Sequence, residues 1–140
     1  MEDRHLCKAR PIGTRKQWVT GFYAVLGEKT VIIVNEPEKF YDVDSGKNSH
    51  GNKIVEVIPN TICQCTGLKD KNGKLIWEND IVNCFEAECC GKISWNESEA
   101  GFYFDVLLED GTYEEEHIYD YEYCMMVIGN IFDNPELLEE

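Results

Sequence analysis

Apolar and polar residues alternate with period two along most of this chain, and turn residues interrupt the pattern more often than helical spacing does. Residues 6–9 and 17–26 read as strands around Pro11-Ile12-Gly13. Trp18, Thr20, Phe22, Ala24 and Leu26 fall on one face of the second strand, with Val19, Tyr23 and Val25 on the other. Both faces are apolar, which predicts a strand covered on two sides or lying at a subunit interface. Residues 31–34 form a β-branched run of strand type, and residues 54–58 form another that Pro59 stops. Residues 62–66 predict a short strand. Between these segments, residues 35–53 hold Pro37, two glycines and three asparagines, and they read as a long, mobile loop.

Residues 66–82 concentrate turn chemistry between two apolar segments. Asn72-Gly73 is a strong reversal signal, because both residues tolerate positive φ. Leu75-Ile76-Trp77 returns to apolar character, and Asn79 suits a second, left-handed position before a strand begins at Ile81. Two reversals so close together predict a small barrel or roll.

Beyond this hinge, residues 81–85, 92–96 and 102–108 predict a three-stranded meander. Ile93 with Trp95, and Phe102 with Phe104 and Val106, supply its inward faces. Asp110-Gly111 marks a hairpin. Residues 125–132 form the last strand, with Gly129 as a bulge or close-packing point. Asn134-Pro135-Glu136 then predicts a short C-terminal helix: Asn134 as N-cap, Pro135 in the first helical position, Leu137 and Leu138 docked. The chain reads as mainly β and as one domain over residues 1–140, with two lobes at 1–66 and 67–140.

Charge changes this picture. Residues 1–80 carry 12 basic and 11 acidic side chains, whereas residues 81–140 carry Lys92 alone against 16 acids. Such a C-terminal half repels phosphate backbones, so direct nucleic-acid binding through it is not expected. No apolar run reaches the ~20 residues of a membrane helix, and residues 1–7 lack a secretory apolar core. A cytosolic protein is the expectation. The seven cysteines fit that compartment: their odd count argues against a disulfide framework, and Cys63-x-Cys65 and Cys84-x4-Cys89-Cys90 lack paired zinc-knuckle spacing. Buried thiols are the simpler reading, a metal-dependent enzyme the remote one. No cofactor is expected.

Catalytic signals are weak. No glycine-rich phosphate cradle or serine elbow occurs, and Asp42-Val43-Asp44-Ser45-Gly46 echoes a calcium loop without its closing glutamate. No catalytic residue is assigned. His117 follows Glu114, Glu115 and Glu116, where a carboxylate could poise an imidazole base; a solvated acidic edge is the simpler interpretation. Glu114, Glu115, Glu116, Asp120 and Glu122, interleaved with Tyr119, Tyr121 and Tyr123, form the candidate interaction face. If every acid beyond residue 80 shared one face, they would imitate at most ~27 Å of duplex charge, so an acidic DNA mimic inhibiting a host DNA-binding protein is one expectation. A solubilising surface is the other.

The hinge from Thr66 to Lys74, continuing through Glu78 and Asp80-Ile81-Val82, resembles the signature of the YopX family of phage and prophage proteins. Residues 127–138 resemble its closing block, and Trp18-Val19 with Gly21-Phe22-Tyr23 its opening block more loosely. Asn79 stands where that family usually has glycine, and Cys63 and Cys65 also depart from its pattern. The resemblance implies an SH3-like barrel with extra N-terminal strands, homo-oligomers, a home in the bacterial host cytoplasm, and no known enzymatic activity. Gly67, Asn72, Gly73, Asp80, Gly129, Asn130, Asn134 and Pro135 are its motif positions here. The expected role is a scaffold or a binding module, with self or a host or phage protein as partner.

Overall fold

The structure is a computed structural model that describes residues 5–13, 17–42, 47–84, 89–107, 110, 112–118 and 124–138. The chain divides into two compact units, one spanning Leu6–Ile62 and the other Cys63–Glu140 together with His5. Both are built from antiparallel strands.

In the first unit, β1 (Cys7–Ala9), β2 (Val19–Leu26), β3 (Lys29–Asp42) and β4 (Lys47–Glu56) lie in the order β4-β3-β2-β1. Cys7, Ala9, Ile32 and Val57 form its core, with Val19, Val34, Val55 and Ile62 packed against them. The loop expected at 35–53 is not there. β3 and β4 continue as a paired ribbon as far as Asp42 opposite Lys47. Pro37 lies within the register shift between Val34 and Glu38, where a residue without an N–H removes no regular ladder bond. The calcium-like residues 43–46 lie outside the described residues.

The second unit starts with β5 (Cys63–Lys69) and β6 (Leu75–Trp77), a hairpin. Gly67 (φ 81°) sits in its bulge, and the Thr66 hydroxyl fastens this bulge by donating to the Ile76 carbonyl and accepting from the Leu68 N–H. The reversal that follows differs from the expected one. Only Gly73 is left-handed (φ 82°), and Asp70 and Lys74 close a three-residue loop through Asp70 N–H to the Lys74 carbonyl and Gly73 N–H to the Asp70 carbonyl. Asn79 (φ 70°) makes the second turn; its N–H donates to Ile93 and its carbonyl accepts from Ile131.

β7 (Asp80–Cys84), β8 (Cys89–Asn96), β9 (Gly101–Leu107), β10 (Tyr113–His117) and β11 (Met125–Asn130) form a five-stranded sheet in the order β10-β9-β8-β7-β11. Ile76, Val82, Ile93, Phe104, Ile118 and Met125 are buried on one side of it, each contributing about 2 kcal/mol by leaving water. Phe102 and Val106 pack against this core, but Trp95 stays 38 % exposed and is not part of it. The sheet is open among the described residues: β10 and β11 end it as separate edges, so the expected barrel does not close.

The predicted C-terminal helix is a single 3-10 turn, Pro135–Leu138. Asn134 does not cap it with its side chain. Its Oδ1 instead accepts from the Asn130 N–H at 3.3 Å, while Asn130 Oδ1 accepts from Phe132 and Asp133. Leu137 is 38 % exposed and Leu138 half-buried. Gly129 follows the β11 register shift as expected, with the Asn134 carboxamide directly above it.

Two stability predictions follow from these contacts. A Cβ on Gly129 would lie 2.5 Å from Asn134 Oδ1, so Gly129→Ala should cost about 1–3 kcal/mol in urea unfolding. Part of that should return in the Gly129→Ala/Asn134→Ala double variant, a coupling that a double-mutant cycle reads directly. The second concerns Asp70, which is buried, with Oδ1 accepting from Asn72 and Lys74 and Oδ2 from Val127. Burial alone pushes its carboxyl up, but the three N–H donations and the Lys74 charge outweigh it and hold the group below its ordinary value. A depressed folded-state value means the contribution is complete above the unfolded pKa of ~3.9 and is lost as pH falls through the folded value. Asp70→Asn should therefore cost about 2–3 kcal/mol at neutral pH, with the gap to the native chain narrowing below about pH 4.

Candidate functional site

Strand β10 carries the acidic run, and its register decides which side chains meet. Glu114 stands opposite Val106, Glu115 opposite Asp105, Glu116 opposite Phe104 and His117 opposite Tyr103. Directly opposed residues of an antiparallel pair share a face. Glu115 and His117 therefore lie on one face, and Glu114 and Glu116 on the other. Asp120 and Glu122, with the three interleaved tyrosines, lie outside the described residues.

Across β8, β9 and β10, the face bearing Glu115 and His117 gathers two rows: Lys92, Asp105 and Glu115, then Ser94, Tyr103 and His117. The Ser94 hydroxyl donates to Asp105 at 3.0 Å, and the Asn96 amide donates to Glu115 at 3.1 Å. His117 Nε2 lies 3.4 Å from the Tyr103 hydroxyl, with ring centroids 4.6 Å apart. Burial pushes the Asp105 carboxyl up, and the Glu115 charge adds to this against Ser94 and Lys92. Burial also pushes the Tyr103 phenol up, reinforced by Glu99 and Glu115. The phenol stays protonated at neutral pH, so this pair supplies hydrogen bonds and no phenolate nucleophile. Of these groups, sequence reasoning singled out His117 and Glu115 as candidates and Lys92 only as the single base beyond residue 80. Lys92-x-Ser94 and Tyr103-x-Asp105 alternate correctly, but the register that joins them is a property of the pairing.

Among the described residues no three His, Cys, Asp or Glu side chains are grouped to hold a metal ion. Cys84 and Cys124 belong to the apolar core of the second unit and Cys7 to that of the first, while Cys63 and Cys65 are buried on one side of β5. Cys90 is half-buried, and burial pushes its thiol up, away from a reactive thiolate.

The first unit presents a different surface. Tyr23 and Val25 pair with Ile32 and Thr30, so they extend the face that carries the buried Ile32. They are nevertheless 51 % and 56 % exposed. Leu26 and Ile54 are exposed on the opposite face. At one end of β2, Trp18 receives Lys8 Nζ and Arg10 Cζ over its ring at 5.0 and 5.2 Å.

The motif positions act inside the fold. Gly67 and Gly73 shape the β5–β6 hairpin, the Asn72 N–H donates to Asp70, and Asp80 Oδ2 accepts from the Trp77 N–H at 2.8 Å. Gly129, Asn130 and Asn134 form the tight corner that leads into Pro135. No helix among the described residues is long and apolar enough to cross a membrane. Among curated proteins no significant match is found. The family model described as YopX protein matches residues 25–139, from the end of β2 through the C-terminal turn, and the chain belongs to the YopX family.

Proposed function

We propose that this chain is a non-catalytic, phage- or prophage-encoded binding module or scaffold that works as a homo-oligomer in the bacterial cytoplasm. Its second unit is read as an SH3-like roll. The observation that carries the reading is the exposed continuation of the first unit's core face, Tyr23 and Val25 beside buried Ile32. The apolar core ends there before the sheet does.

A second copy is the occupant that the charge favours. Residues 6–62 carry eight basic and six acidic side chains, whereas residues 63–140 carry four basic and nineteen acidic ones. Two copies of a chain with net charge −14 repel each other through the acidic unit and approach most cheaply through the near-neutral one. For the alternative, an acidic DNA mimic inhibiting a host DNA-binding protein, β10 places Glu115 on one face and Glu114 and Glu116 on the other.

Size-exclusion chromatography with light scattering tests this. The full chain should elute as a multiple of 16.1 kDa. Val25→Lys, at an exposed position that the folded unit tolerates, should shift it toward the monomer with an unchanged far-ultraviolet spectrum. A native chain that stays monomeric at high concentration overturns the reading.

A further inference from the structure

The sheet of the first unit ends on one side at β4, and its hydrogen bonds reveal which backbone groups of that strand are engaged. In an antiparallel ladder, successive residues turn their N–H and C=O alternately toward and away from the adjoining strand. The Val57 N–H donates to the Thr30 carbonyl at 3.0 Å, so Val57 turns its backbone toward β3, and by alternation Val55 and Lys53 do the same. Glu56 turns outward, and its carbonyl accepts from the Ile12 N–H at 3.1 Å. Ile54 turns outward as well. Among the described residues no strand lies beyond β4 to pair with it.

This edge is not guarded as β10 is. Charges, prolines and bulges are the usual devices that keep sheet edges apart. Residues 47–55 contain no Asp, Glu or Pro, and Lys47 and Lys53 are their only fixed charges. The strand is also held in place here, because Val55 packs against the core that contains Ile32 and Val57. Ile54 itself is 57 % exposed. An outward-turned N–H and C=O therefore coincide with an uncovered β-branched side chain, which suits the pleated surface of a further strand.

A second copy fits this edge. Antiparallel pairing of β4 with the β4 of a copy is isologous, so each strand meets the other through the same residues. With Ile54 on the two-fold axis, the two Ile54 residues exchange both backbone bonds and bring their side chains together on one face. Lys53 then stands opposite the copy's Val55, and Asn52 opposite the copy's Glu56. No like charges oppose one another in that register. Sliding the copy by two residues sets Lys53 against Lys53 in one direction and Glu56 against Ile54 in the other. The near-neutral charge of this unit lets two copies meet without the repulsion that the acidic unit exerts.

We propose that β4 is a second self-association surface, at which two copies pair their edges antiparallel about Ile54 and continue one sheet into the other. The inference rests on the proposed self-association and adds a contact to it, since Tyr23 and Val25 belong to β2, two strands away.

Light scattering on the full chain and hydrogen exchange by NMR test it together. Ile54→Pro removes the outward N–H and spares the β3–β4 ladder. It should weaken the β4 contact about tenfold and lower the mass. Ile54→Val keeps the N–H and an apolar side chain and should leave the mass unchanged. Val25→Lys should leave a β4-paired dimer, and Val25→Lys/Ile54→Pro a monomer. In the unmodified chain the Ile54 amide should exchange slowly, and faster on dilution. Fast exchange of that amide in the assembled chain overturns the inference, a result that stands even where the proline variant does not fold. A folded Ile54→Pro chain of native mass overturns it too. If Val25→Lys alone then gives a monomer, the contact at β4 falls while the proposed function stands. A native chain that is strictly monomeric removes both.

Discussion

The Asp70 carboxylate receives the N–H groups of Asn72 and Lys74 from its own loop and that of Val127 from a strand 57 positions away. Lys71 adds a backbone bond to the Met125 carbonyl beside it. The polar loop at the tip of the β5–β6 hairpin is thereby tied to β11, and a buried carboxylate that satisfies three donors is strong because each bond is charge-assisted. Asn79 repeats the arrangement further on, joining the turn before β7 to Ile93 and to Ile131. The two strongest motif blocks, residues 66–82 and 127–138, are thus the two halves of one set of contacts. Asp70 and Asn79 in the first block thus serve the backbone.

That distinction explains what could be read from the sequence. Gly73, Asn79 and Gly129 were legible because each answers to local backbone conformation or to one close approach. The meander was legible because Ile93, Phe104 and Val106 alternate against a core. The β3–β4 ribbon was not, since residues 35–53 show no alternation and their pairing comes from backbone bonds that carry no hydrophobic signature. Asn134 misled for a different reason. Its side chain had a helical N–H ahead of it and the Asn130 N–H behind it, and the Gly129 corner placed the second within reach. The polar face of Ser94, Tyr103, Asp105 and His117 depends on the register of three strands, which no single segment encodes.

The acidic run on β10 has a structural use that needs no partner. Among the described residues β10 is an edge strand, and an edge offers backbone groups to any other strand. Glu115 on one face with Glu114 and Glu116 on the other places a charge beside any approaching edge from either side. Net charge of the same sign then discourages sheet-to-sheet addition between copies. In the proposed self-association the carboxylates direct the contact away from this edge.

Exclusion at one surface makes attraction at another more selective. A chain with 27 acidic and 13 basic residues attracts cations everywhere at long range, and that attraction does not distinguish partners. Discrimination requires a short-range contact that only some cations can make. In the acidic unit the indole of Trp95 packs edge to face with Phe102 and is 38 % exposed. Tyr23 and Val25 supply an uncharged contact in the near-neutral unit. It is on this uncharged surface that the proposed association of two copies rests.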